Sequence, residues 1–163
     1  MHRLTSPLLD SPPLLRHGLP ELVYGVNPAA GTDYSVAMPG QYFTRLISLF
    51  VRLVCDANVA SREVVVSYED QSGARYGLAG AATTLTASAT GDYYFSTTLG
   101  TDIFTVDSSA LSPLPPVLLR PTDVIKIHVP NIQATDQLSR IRYVWERFYT
   151  TDQPPHPAPH SGT

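Results

Sequence analysis

The chain is poor in the side chains that most protein chemistry draws on. Its 163 residues include one cysteine, one tryptophan and two methionines, and 15% of them are charged, against about 25% in ordinary soluble domains. A lone cysteine, Cys55, excludes an intramolecular disulfide framework; set in the apolar run Ile47 to Cys55, it reads as a small buried hydrophobe. Long hydrophobic runs are also missing. The longest, Leu46 to Cys55, is interrupted by Ser48 and Arg52 and is too short to cross a bilayer. Near the N-terminus, Asp10, Pro12 and Pro13 break up the leucines, so no secretory h-region forms. A soluble chain without membrane contact is expected. A net charge of -3 gives no broad attraction for phosphate, so direct nucleic-acid binding is not expected either.

Catalytic patterning is equally thin. Nucleophilic catalysis needs a base beside a Ser or Cys, yet four of the five histidines (His2, His17, His156, His160) lie near the chain ends. The fifth, His128, alternates outward on a strand and reads as a solvated residue. His156 and His160 are four apart but sit among prolines rather than on a helix, which makes a poor metal site. Asp70, Asp92, Asp123 and Asp136 each stand at a turn or strand edge and signal no carboxylate pair. Asp102 and Asp107 could share a cation by proximity, without the spacing of a calcium loop. No cofactor, metal or catalytic residue is expected.

What the sequence does hold is alternation at period two. Tyr34, Val36 and Met38 alternate with small or polar residues. Ile47, Leu49, Val51, Leu53 and Cys55 put a strongly apolar face on a long strand, and Val64, Val66 and Tyr68 oppose Glu63, Val65, Ser67 and Glu69. Asp70-Gln71-Ser72-Gly73 is a hairpin signal, with Gly73 free to adopt positive φ before a strand Ala74 to Leu78. Ala81 to Thr90 suits an outer strand, Tyr93 to Phe95 opens another, and Ile103 to Val106 a short one. Asp107 to Pro116 has three prolines and no period and is expected to cross between sheets. Asp123 to Val129 puts Ile125, Ile127 and Val129 on one face. Leu138 to Tyr149 groups Ile141, Tyr143, Trp145 and Arg147; a helix competes there, but the β-branched and aromatic content favours a strand.

About eight strands with short turns predict an all-β, antiparallel β-sandwich, jelly-roll-like, ahead of an immunoglobulin-like alternative that lacks its Cys, Trp, Cys spacing. The expected boundaries are an extended Pro/Leu-rich N-terminal arm over residues 1–20, a sandwich over 21–151, and a Pro/His-rich tail over 152–163, expected to be disordered or polyproline-like. The arm carries six leucines, too many for a solvated linker. Leu8, Leu9, Leu14 and Leu15 are the candidate subunit contacts.

Three segments carry a resemblance: Ser61-Arg62-Glu63-Val64-Val65-Val66, the strand ending Glu69-Asp70 with Gly73 behind it, and Asp136-Gln137-Leu138-Ser139 before a final Arg/Tyr/Trp strand. Over about Gln41 to Arg147 the chain resembles small β-sandwich virion proteins of tailed bacteriophages. The resemblance implies a structural protein of the virion, assembled in the host cytoplasm: a capsid decoration or minor head protein, or a neck or tail component. The partners it implies are the major capsid protein or neck and tail proteins, with a homo-oligomer, as a trimer, for a decoration protein. A competing expectation is a carbohydrate-binding module for host-surface glycans, with Tyr93, Tyr94, Tyr143 and Trp145 as a stacking platform; core filling is the alternative role for those rings. A jelly-roll hydrolase would need a metal ligand set that the histidine positions do not offer.

Overall fold

The structure is a computed structural model, and it describes residues 20–40, 42–99, 104–106 and 109–148. The arm leucines Leu8, Leu9, Leu14 and Leu15, the 152–163 tail, His2, His17, His156, His160, Asp102 and Asp107 lie outside the described residues.

Eleven strands run along the described chain: β1 (Pro20–Tyr24), β2 (Tyr34–Ala37), β3 (Phe43–Val54), β4 (Arg62–Glu69), β5 (Arg75–Leu85), β6 (Thr90–Ser96), β7 (Phe104–Val106), β8 (Ser109–Pro113), β9 (Leu118–Leu119), β10 (Val124–His128) and β11 (Gln137–Phe148). They form two packed sheets. The larger is ordered β1-β11-β3-β6-β8-β7, with β9 also on β3, and the smaller β2-β10-β4-β5. Four antiparallel pairs are nested, β1 with β11, β2 with β10, β3 with β6 and β4 with β5. The main chain is therefore one long hairpin, rolled up, with its tip at the β4–β5 turn. That is the expected jelly roll, with β7, β8 and β9 added between the sixth and seventh principal strands.

At the tip, Gly73 adopts φ 82° and donates its N–H to the Asp70 carbonyl at 2.9 Å, as the hairpin signal predicts. Gly77 matters differently: a Cβ there would lie 2.5 Å from the Tyr68 ring, so its bareness lets β5 close over that tyrosine. Between the sheets, Val51, Leu53, Val64, Leu119, Ile127, Val129 and Leu138 retain no exposure. Burying side chains of this kind contributes roughly 1.5–3 kcal/mol each.

Three expectations need correction. Ile47 does not belong to the inner face of β3: Leu46 pairs with Trp145 and Ser48 with Val144, so Ile47 is the extra residue of a bulge and Thr44 and Leu46 take the core positions below it. One inserted residue reverses the in/out alternation. A second bulge lies in β11, where Ser139 pairs Arg52 and Arg142 pairs Phe50 around Arg140 at φ 52°. The segments 74–78 and 81–90 do not make two strands, because β5 runs through both to Leu85. The proline-rich segment 107–116 does not cross between sheets; it contains β8, which pairs parallel to β6, and the crossing falls after β9, at Arg120 to Asp123.

Candidate functional site

The outer face of the large sheet carries side chains that a solvated surface would not select. The register aligns one residue from each of five strands in a single row: Tyr24 on β1 opposite Arg142 on β11, Arg142 opposite Phe50 on β3, Phe50 opposite Tyr94 on β6, and Tyr94 opposite Leu111 on β8. Directly opposed side chains in a sheet are near enough to pack on one another. Arg142 lies over both neighbouring rings, its guanidinium carbon 5.8 Å from the Tyr24 centroid and 5.6 Å from that of Phe50, and Phe50 and Tyr94 tilt together at 4.7 Å and 49°. The next row adds Leu22 opposite Val144 and Ser48 opposite Ser96. Tyr24 is 68% exposed, Leu22 53% and Tyr94 43%. All of these residues except Tyr24, which stands beside it, line an open groove of about 390 Å³.

Both sides of the groove, along the strand direction, are polar. On one side, Arg52 grips Asp92 with two 2.6 Å hydrogen bonds, and the arginine holds the Asp92 carboxyl below its ordinary pKa, against the opposing effect of burial. Asp92 is thus a strand residue opposite Arg52 rather than the turn residue its position suggested. On the other side, Arg45 pairs with Glu146 and stacks 5.5 Å from the Phe148 ring. On the opposite face of the sheet, at the β1 edge, Glu21 takes a 2.7 Å bond from Arg147 and a 3.0 Å bond from the Trp145 indole. An apolar centre inside a satisfied polar rim is the build of a contact surface. Arg142 is matched by rings, and no carboxylate pairs with it among the described residues.

The four rings expected to form a platform are not brought together on it. Tyr93 is buried to 1% exposure, and Tyr143 and Trp145 to 5% each; they fill the core, Tyr143 and Trp145 edge to face at 5.1 Å. Tyr94 alone belongs to the outer face. Period-two alternation requires Tyr93 and Tyr94 to point to opposite sides, whereas Tyr24 and Phe50, which complete the row, come from strands far from Tyr94 in sequence.

A second cluster, at one end of the sandwich, is charged and sealed. Arg62 has no exposure, and all five of its N–H donors are taken. Nε and one Nη2 hydrogen go to Asp136 at 2.8 and 3.1 Å, the other Nη2 hydrogen goes to Asp56 at 2.6 Å, and Nη1 reaches the carbonyls of Asn58 and Ala60 at 2.8 and 3.0 Å. Asp136 also accepts the N–H groups of Asp56 and Gln133 at 2.8 and 2.7 Å. Burial disfavours the Asp136 carboxylate, but the Arg62 and backbone hydrogen bonds outweigh it and lower its pKa. In Asp56, likewise, hydrogen bonds from Thr135 and Asn58 overcome burial. The Arg62 and Asp136 of the two separate sequence motifs are therefore halves of one buried ion pair.

The remaining candidates stay apart. His128 is half-exposed on the small sheet, its Nδ1 2.7 Å from Asp33. Asp123 accepts hydrogen bonds from the Tyr76 hydroxyl and the Arg120 N–H at 2.6 and 2.7 Å. Cys55 is buried and its thiol pKa is raised by that burial. Among the described residues no three His, Cys, Asp or Glu side chains group as metal ligands. Compared with known proteins, the chain matches no family model, no curated protein and no solved structure.

Proposed function

We propose that this chain is a non-enzymatic structural subunit of a tailed-phage virion, which decorates or cements the capsid by packing the outer face of its large sheet and its N-terminal arm on neighbouring subunits. The observation that carries the reading is the outer-face row across five strands, with Tyr24, Arg142 and Tyr94 exposed and Phe50 and Leu111 half-buried between and beside them. Contiguous exposed apolar area on a water-facing sheet marks a contact surface, and this row offers area and one cation rather than a nucleophile with its base. Double-sheet jelly rolls build viral capsids as well as lectins and cupins, so the fold admits the reading without selecting it. The resemblance to phage virion proteins selects it, and the low charge content suits a subunit buried among others. A neck or tail position is the alternative within the same class.

Cryo-electron microscopy of virions carrying the chain tests the proposal. Regular copies over the capsid lattice, with the large sheet against a neighbour, support decoration. Copies at the neck or tail move the subunit there, and particles free of the chain overturn the virion reading. One observation favours a glycan-binding module as a second reading: Tyr24 and Tyr94 are both exposed beside a groove. Tyrosine fluorescence that changes on titration with oligosaccharides, and is unmoved by other copies of the chain, would favour that module.

A further inference from the structure

We infer that the groove on the outer sheet face receives residues 8–15 of a neighbouring copy, with Leu8 and Leu9 against Leu22 and Tyr24, Asp10 against Arg142, and Leu14 and Leu15 against Tyr94 and Leu111. The inference rests on the assembly reading and names the occupant of its contact surface.

Three observations fix the occupant. The first is length. Leu14 lies six steps along the chain from Leu8, and with Pro12 and Pro13 between them an extended polyproline path at about 3.1 Å per residue would span about 19 Å. The groove runs from β1 through β11, β3 and β6 to β8, four steps of about 4.8 Å, again about 19 Å. The second is charge. Asp10 follows Leu9 directly, so with the first leucine pair over β1 it falls about one strand further along, over Arg142, the one cation of the row. The third is direction. β1 runs from Pro20, opposite Glu146, to Tyr24, opposite Arg142, so the groove lies on the Tyr24 side of Pro20. A residue preceding proline favours extended backbone, which directs Leu19 onward and away from its own groove. An arm that continued in that direction would carry Leu15 about 16 Å and Leu8 about 40 Å beyond Pro20, within reach of a neighbour.

The test uses full-length chains, and the substituted positions are in the arm or on the outer sheet face, where Phe50 is half-buried. One chain carries Leu14→Cys and a second, distinguishable by a tag, carries Tyr94→Cys; the native Cys55 is buried. Mixed under mild oxidation, they are expected to yield a disulfide joining the two different chains. A bond formed only within a single chain bearing both substitutions would place the arm on its own subunit and overturn the inference, as would no bond in either case. Asp10→Arg is expected to weaken self-association by about tenfold, and adding Arg142→Asp is expected to restore it; failure of the swap to restore it counts against the register. If Phe50→Ser with Tyr94→Ser abolishes association while deletion of residues 1–19 leaves it unchanged, the face remains a contact surface and the arm is not its occupant. If neither change alters association, the assembly reading falls as well.

Discussion

Two regions of this molecule reverse the usual placement of side chains, and they do so with opposite outcomes. At the end of the sandwich an arginine and an aspartate are buried together, with a second aspartate partly buried beside them; on the outer face of the large sheet leucine and tyrosine stand exposed around a half-buried phenylalanine. The buried charges are complete, because Arg62 places five donors on five acceptors and its burial leaves nothing for a ligand to satisfy. The exposed row is incomplete, since rings such as Tyr24 and Tyr94 keep much of their area in water. A conspicuous cluster of ionisable groups is therefore a fastening for the fold, while a surface without reactive groups is where a partner gains most.

The largest effect should come from breaking the fastening. Asp136→Ala leaves a buried guanidinium without its main partner, and uncompensated buried charges of this kind cost about 3–5 kcal/mol; urea unfolding should show the loss in the midpoint. A loss no greater than that of a surface substitution would mean that water replaces the carboxylate and that the cluster is not sealed.

Acid should act on the same cluster. Asp56 and Asp136 have lowered folded-state pKa values, so the unfolded chain binds more protons than the folded one at low pH. Their contribution is fully present above the unfolded value of about 3.9 and is lost as pH falls through the lowered folded values. Unfolding midpoints followed from pH 7 downward should fall on that acid limb, and Asp136→Asn should flatten it. An unchanged limb in Asp136→Asn would assign acid sensitivity elsewhere, with the Arg52–Asp92 pair the next to examine.

The two regions also differ in how far the sequence discloses them. Val64, Val66 and Tyr68 in β4, Ile125 and Ile127 in β10 and Val129 just after it are buried as their alternation predicts, because these stretches carry regular spacing against both apolar and polar neighbours. Alternation fails at Ile47 and Arg140, where a single inserted residue reverses every position beyond it and the local sequence does not mark the insertion. β8 stays hidden because Pro113 and the prolines after it read as loop, although its parallel pairing with β6 starts before them. The burial of Arg62 as an ion pair is not marked locally, since the acceptors that justify it come from a loop 74 residues away as well as from its own turn. The aromatic row is harder still to see: one member comes from each of five strands, so no window of sequence contains it, and adjacent aromatics such as Tyr93 and Tyr94 suggest a cluster where the sheet separates them.

Removing the exposed rings should separate stability from association. Phe50→Ser with Tyr94→Ser takes apolar area from a surface already open to water, so stability should change by about 1 kcal/mol or less. Binding of a hydrophobic dye and self-association should both fall. A large loss of stability instead would place Phe50 in the core in energetic terms and weaken the contrast between the two regions.

The smallest effects serve as local reporters, one beside each region. Cys55 lies near Arg62, Asp56 and Asp136, and burial raises its pKa, so it should resist alkylation in the native chain, since only the exposed thiolate reacts. Trp145 lies beneath the sheet, 5% exposed, and its emission should resist acrylamide quenching. If the regions are independent, Asp136→Ala should speed Cys55 alkylation while leaving Trp145 shielded, and Phe50→Ser with Tyr94→Ser should leave both protected. Distant sites without shared partners add in this way. A sheet-face variant that exposed Cys55 would instead join the two regions through β3, which carries Phe50 outward and leads directly to Cys55, and association at the face would then be coupled to the fastening at the end of the sandwich.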